Sequence, residues 1–108
     1  MKIKNFLLIL LFSIISKIHV SFADEAKMKK GLEIFNETAG CAACHVLKAA
    51  GSEGNIGPNL DDLKPLEEQV RGVVTEGLGV MPAFGEEGIL SKEEIDIVSF
   101  YVANSSGK

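Results

Sequence analysis

The chain has 108 residues, with 15 acidic and 11 basic side chains and a net charge of −4. That length leaves room for one small domain. The acidic balance argues against nucleic acid, which needs a basic footprint, and against attraction to an anionic membrane surface.

The N-terminus reads as an export signal. Met1 to Lys4 is a short basic stretch, Phe6 to Ile15 is apolar, and Ser21-Phe22-Ala23 places small residues where signal peptidase requires them. Lys17 interrupts the apolar run, which is too short for a comfortable membrane span. Residues 1–23 are therefore expected to be cleaved, leaving a mature domain over 24–108 in the periplasm. Three lysines leave with the leader, so the mature part carries eight basic against 15 acidic residues, a net charge of −7. A domain of 85 residues is marginal alone, burying only about 60–65% of its unfolded surface. It needs a staple, and without one the chain is expected to be largely unfolded.

The elements read as all-α. Residues 25–36 set Met28, Gly31, Leu32 and Phe35 on one helical face. Cys41-Ala42-Ala43-Cys44-His45 follows, and C-x-x-C-H is the attachment pattern of a c-type haem. Two thiols at this spacing can add to the two vinyl groups of one haem, and the histidine then lies under the iron. Three other readings compete. A thioredoxin-like site expects a strand–helix–strand pattern that is not evident around residue 41. A structural zinc site wants four ligands, and the mature part offers only Cys41, Cys44 and His45. A disulfide would close a tiny loop and leave His45 without a role.

Gly51 to Pro58 is a glycine-rich loop, with no preceding strand to make it a phosphate cradle. Residues 65–76 form a weaker helix with Leu66, Val70, Val73 and Val74 on one stripe and Pro65 in its first turn. Gly77 and Gly79 end it, and the loop Gly79-Val80-Met81-Pro82-Ala83-Phe84 follows. Met81, 36 residues after His45, is the candidate second iron ligand, because a thioether opposite histidine closes the iron and raises its potential. Met28, the other mature methionine, has core-like spacing. The last helix is announced by Ser91 and Glu94, a capping box, followed by Ile95, Val98, Tyr101 and Val102 at helical spacing. Asn104 to Lys108 reads as a frayed polar tail.

These segments together resemble a class I monohaem cytochrome c of the small bacterial type. The resemblance rests on Gly31 and Phe35, Cys41 to His45, Gly57-Pro58-Asn59-Leu60, Met81-Pro82-Ala83-Phe84, and Tyr101-Val102, all in family order. It implies three to four helices wrapped around one covalent haem c, bound by Cys41, Cys44, His45, Pro58 and Met81, with His45 and Met81 on the iron. Gly31 would allow a close helix crossing beside Tyr101. The Pro58 carbonyl would accept the Nδ1–H of His45. Leu60, Val70, Val74 and Val98 would line the haem or the ordinary core. Arg71, the sole arginine, would reach a propionate or stay solvated.

The functional expectation is a periplasmic electron carrier, not an enzyme, cycling Fe(III)/Fe(II). Its donor would be a cytochrome bc-type complex or a dehydrogenase, and its acceptor a terminal oxidase or reductase. A variant is a redox subunit dedicated to one dehydrogenase. The alternative is a haem peroxidase or gas sensor, which needs an open iron and a polar distal group. His45 is the sole mature histidine. A thiol or interaction protein without haem is a third reading. A monomer is expected, with no nucleic acid bound and no membrane insertion after cleavage.

Overall fold

The computed structural model describes residues 22–108. The expected leader, apart from Phe22 and Ala23, lies outside the described residues. Four helices are present among them: α1 over 22–33, α2 at Leu60–Leu63, α3 at Glu67–Glu76 and α4 at Lys92–Ser105. None is long and apolar enough to cross a membrane.

Helix α1 runs into a wider turn at Ile34–Thr38, closed by the Ala39 N–H on the Ile34 carbonyl at 2.9 Å. Such i→i+5 turns are rare and swing the chain off the helix axis. Here the turn keeps Ile34 and Phe35 buried while the chain leaves toward Gly40, whose φ of 69° starts the next segment. Helix α4 crosses α1 at Gly31. A Cβ there would lie 2.2 Å from the Tyr101 Cβ. The Phe35 and Tyr101 rings pack beside this crossing, 6.0 Å between centroids at a 59° tilt.

Helix α3 packs along α4, with Val74, Ile95 and Val98 buried between them and their neighbours. The α4 N-terminus carries the expected capping box: Glu94 N–H donates to Ser91 Oγ (3.1 Å) and Ser91 N–H to Glu94 Oε1 (3.0 Å).

Three expectations are corrected. Helix α3 starts at Glu67, after Pro65 and Leu66, with the Leu66 N–H held by Gln69 Oε1 at 2.9 Å. Leu66 therefore leaves the apolar stripe and is 60% exposed. A short strand does precede the glycine-rich loop: β1 (Val46–Leu47) pairs antiparallel with β2 (Ser52–Glu53), at the loop's start. The C-terminal tail is tied down: Ser105 and Ser106 are buried, and the Gly107 N–H donates to Asp61 Oδ1 at 2.8 Å. Arg71, the side chain given either of two roles, is partly exposed and pairs with Asp96 at 2.7 Å and Glu67 at 3.8 Å.

Candidate haem-attachment site

Cys41 and Cys44 lie on and just after a single 3₁₀ turn, Cys41–Ala43. The turn is closed by the Cys44 and His45 N–H groups, both on the Cys41 carbonyl (3.2 and 3.1 Å). Both thiols are free and half-buried, so the disulfide reading fails. Burial pushes the Cys41 thiol up to about 11, which keeps it protonated at neutral pH. Among the described residues, no three His, Cys, Asp or Glu side chains gather as a metal cluster, which removes the zinc reading.

His45 is held from two sides. Its Nδ1 donates to the Pro58 carbonyl at 2.7 Å, the bond expected from the resemblance. Its ring lies against Gly57, where a Cβ would come 2.5 Å from His45 Cε1. The Gly57 N–H in turn donates to the Cys44 carbonyl at 2.7 Å. The second loop is thus laced to the cysteine turn, and Gly54 shows the same intimacy, with a would-be Cβ 2.6 Å from the Ala43 carbonyl oxygen. Because Nδ1 is occupied, Nε2 is the nitrogen left for a metal.

Ser52 also supports His45, and nothing in its local sequence signals this. Its buried hydroxyl donates to the His45 carbonyl (2.8 Å) and accepts the Leu47 N–H (3.0 Å). Asp61 is a second such residue. Its carboxylate accepts the N–H groups of Lys48 and Gly107, each at 2.8 Å. It joins the segment after His45, helix α2 and the C-terminus.

Met81 stands on a different segment, beyond α3. Its backbone pairs with Leu78 across a tight turn, N–H to carbonyl at 3.0 Å and the reciprocal bond at 3.3 Å. The side chain is half-buried against the core edge. Met28 also packs against the core, from within α1. The structure therefore brings Cys41, Cys44, His45 and Pro58 into one cluster and sets Met81 in a separate loop.

Lys27, Lys29 and Lys30 lie on α1 rather than in that cluster. Lys30 pairs with Glu33 at 3.2 Å, and the Lys27 ammonium lies 4.7 Å from the Phe100 ring centre. They behave as an ordinary solvated helix face.

Two free thiols, a histidine with one nitrogen fixed and the other open, and a thioether on an all-α frame suit a covalently held iron porphyrin. Comparison with known proteins places the chain in that class. Residues 26–102 match the family described as cytochrome c oxidase, cbb3-type, subunit III. The chain is 38% identical over 87 residues to cytochrome c6 of Picosynechococcus sp., covering 70% of this chain and 71% of that one. It is 34% identical over 96 residues to the cbb3-type cytochrome c oxidase subunit CcoP of Azospirillum sp., covering 75% of this chain but 31% of that longer subunit. The crystal structure of the c-type cytochrome SorU from Sinorhizobium meliloti superposes with a TM-score of 0.73 at 48% identity, over 78% of this chain and 95% of that chain.

The chain belongs to the cytochrome c family, as a small monohaem class I member. It binds haem c covalently and transfers electrons.

Proposed function

We propose that this chain is an exported carrier of single electrons, with residues 1–23 removed and the domain over 24–108 working in the periplasm. Cys41 and Cys44 would be the thioether attachment points, and His45 Nε2 and the Met81 sulfur would hold the iron. The haem supplies the Fe(III)/Fe(II) couple. With haem bound, the protein's task would be to hold His45 and Met81 in place through the change of charge.

The observation that carries this reading is the 2.7 Å bond from His45 Nδ1 to the Pro58 carbonyl. It fixes the tautomer, leaves Nε2 free of that bond and raises the basicity of the ring. A carbonyl is a neutral acceptor, suited to a ligand that stays in place rather than one that shuttles protons. Donors of the cytochrome bc or dehydrogenase type and an oxidase or reductase as acceptor fit such a carrier, and so does a role as subunit of one dehydrogenase. The peroxidase or sensor alternative lacks a distal acid–base group, since His45 is the sole histidine of residues 24–108.

Visible spectra of the purified holoprotein test the assignment. A low-spin c-type spectrum with a methionine–ferric charge-transfer band, lost in Met81→Ala, is expected. A high-spin spectrum, or ready binding of carbon monoxide by the wild type, would overturn Met81 ligation and favour the sensor or peroxidase.

A further inference from the structure

Every polar atom of His45 except Nε2 has a partner within the chain. Its N–H donates to the Cys41 carbonyl at 3.1 Å. Its Nδ1 donates to the Pro58 carbonyl at 2.7 Å. Its own carbonyl accepts the Ser52 hydroxyl at 2.8 Å. Of these partners only Ser52 acts through its side chain; the others are backbone carbonyls, which any residue would supply.

The turn between the short strands places that hydroxyl. Gly51, at a φ of 69°, closes the turn with its N–H on the Lys48 carbonyl at 3.0 Å. The Lys48 N–H is in turn fixed on Asp61 Oδ2 at 2.8 Å. Ser52 then lies opposite Leu47 in the strand pair. Its Oγ accepts the Leu47 N–H at 3.0 Å, so one hydroxyl spans the backbone from His45 to Leu47. The Leu47 carbonyl is farther off, at 3.3 Å, and the single hydroxyl proton goes to His45. Ser52 is 7% exposed and Leu47 0%. Water has little access to replace these bonds. Loss of the hydroxyl would leave a buried carbonyl and a buried N–H unmatched.

We propose that Ser52 is a positioning residue for His45 as iron ligand. By holding the His45 backbone it keeps the imidazole against Gly57 and Nδ1 on the Pro58 carbonyl. It thereby sets the basicity that Nε2 offers a metal. The inference rests on the reading of His45 as an iron ligand given above. The competing role is a hairpin clip, in which the hydroxyl stabilises β1–β2 and leaves the ring alone.

Proton exchange in the ferrous holoprotein, read by NMR, separates the two roles. The His45 Nδ1–H should exchange roughly 10-fold faster in Ser52→Ala, the scale of one lost hydrogen bond. The reduction potential should shift upward, as for a less basic ligand. Ser52→Thr keeps the hydroxyl and should restore both. Ser106→Ala is the control. It also removes a buried hydroxyl, bonded to the Val102 carbonyl at 2.6 Å, and should change neither. Faster exchange at the Leu47 amide alone in Ser52→Ala, with ring exchange and potential at wild-type values, would overturn the proposal in favour of the clip. Equal changes in Ser106→Ala would overturn it in favour of a general loss of stability. Should Ser52→Ala not retain haem, the wild type decides alone. The Leu47 amide and the His45 ring N–H should lose protection together as denaturant is raised, and separate openings would overturn the proposal. Wild-type spectra without histidine ligation would overturn the proposal together with the reading it rests on, whereas the other adverse outcomes leave His45 ligation intact.

Discussion

Gly31 and Tyr101 pack directly against each other where the first and last helices cross. A methyl group at residue 31 would stand 2.2 Å from the Tyr101 Cβ, 2.8 Å from its Cγ and 3.2 Å from the Ile97 carbonyl oxygen. None of these is the far end of a flexible side chain, so the helices themselves must part. Gly31→Ala gains about 1 kcal/mol of helix propensity. It is nevertheless expected to destabilise the holoprotein by about 1–3 kcal/mol, the usual range for overpacking. Denaturant titration of the holoprotein measures this, and an unchanged or higher midpoint would show that the crossing adapts.

Gly57 and Pro58 both touch His45, but their substitutions should differ sharply. Pro58 contributes a backbone carbonyl, which Pro58→Ala retains. That variant should keep the wild-type spectrum and potential, with a stability change of about 1 kcal/mol from the freer chain. Gly57→Ala drives a methyl into the imidazole, at 2.5 Å from Cε1 and 2.9 Å from Nδ1. The ring must turn away from the Pro58 carbonyl and lose basicity. A less basic ligand stabilises ferric iron less, so the potential should rise by on the order of 60 mV, a tenfold change in a one-electron equilibrium. Potentiometry on both variants decides it: equal potentials would mean that the Pro58 bond does not tune the iron.

What the sequence disclosed follows from how local each feature is. Helix α4 was legible because its cap and its apolar spacing lie within one stretch, Ser91 to Val102. Gly31 was legible because a glycine within a helix needs a packing reason. The Cys41 to His45 segment was legible through a motif whose spacing is itself the chemistry, and Pro58 only through the family resemblance. Ser52 and Asp61 were not, since their bonds reach across the chain, in Asp61's case 46 residues to Gly107. The β1–β2 pair was hidden because two residues on each side leave no alternation to read. Leu66 was misplaced by two residues of helix start, which is enough to turn a side chain from core to solvent. The tail was misread as frayed because its small polar residues are buried by a distant contact rather than by a pattern of their own.

The placement of Arg71 carries its own expectation. Its Nε lies 2.7 Å from Asp96 and its Nη2 3.8 Å from Glu67, so the guanidinium ties α3 to α4. The side-chain bond to Asp96 is the main reason that its pKa is raised. Arg71→Gln should leave the reduction potential unchanged. It should weaken the α3–α4 contact only slightly, and least at high salt, as exposed pairs do. Potentiometry gives the clear answer. If the guanidinium reached a haem propionate, removing its charge would favour ferric iron and lower the potential, and such a fall would overturn this assignment.

Asp61 gives the chain an acid-sensitive fastening. The Gly107 N–H, followed by the Lys48 N–H, holds its carboxyl below the ordinary 3.8. The folded state therefore takes up this proton at lower pH than the unfolded state does. Stabilisation from Asp61 is fully present above 3.8 and is lost as pH falls through the lower folded-state value. Asp61→Asn keeps an acceptor oxygen but lacks the charge and the second acceptor. It should be less stable than the wild type at neutral pH, and the gap should close as pH falls below about 4, the ordinary range of an aspartate. Thermal unfolding of the two holoproteins across this range measures the gap, and amide exchange at Gly107 reports the fastening directly. A gap that stays constant with pH would mean that Asp61 acts through its shape alone, and faster exchange at Gly107 in the variant without any pH dependence would say the same.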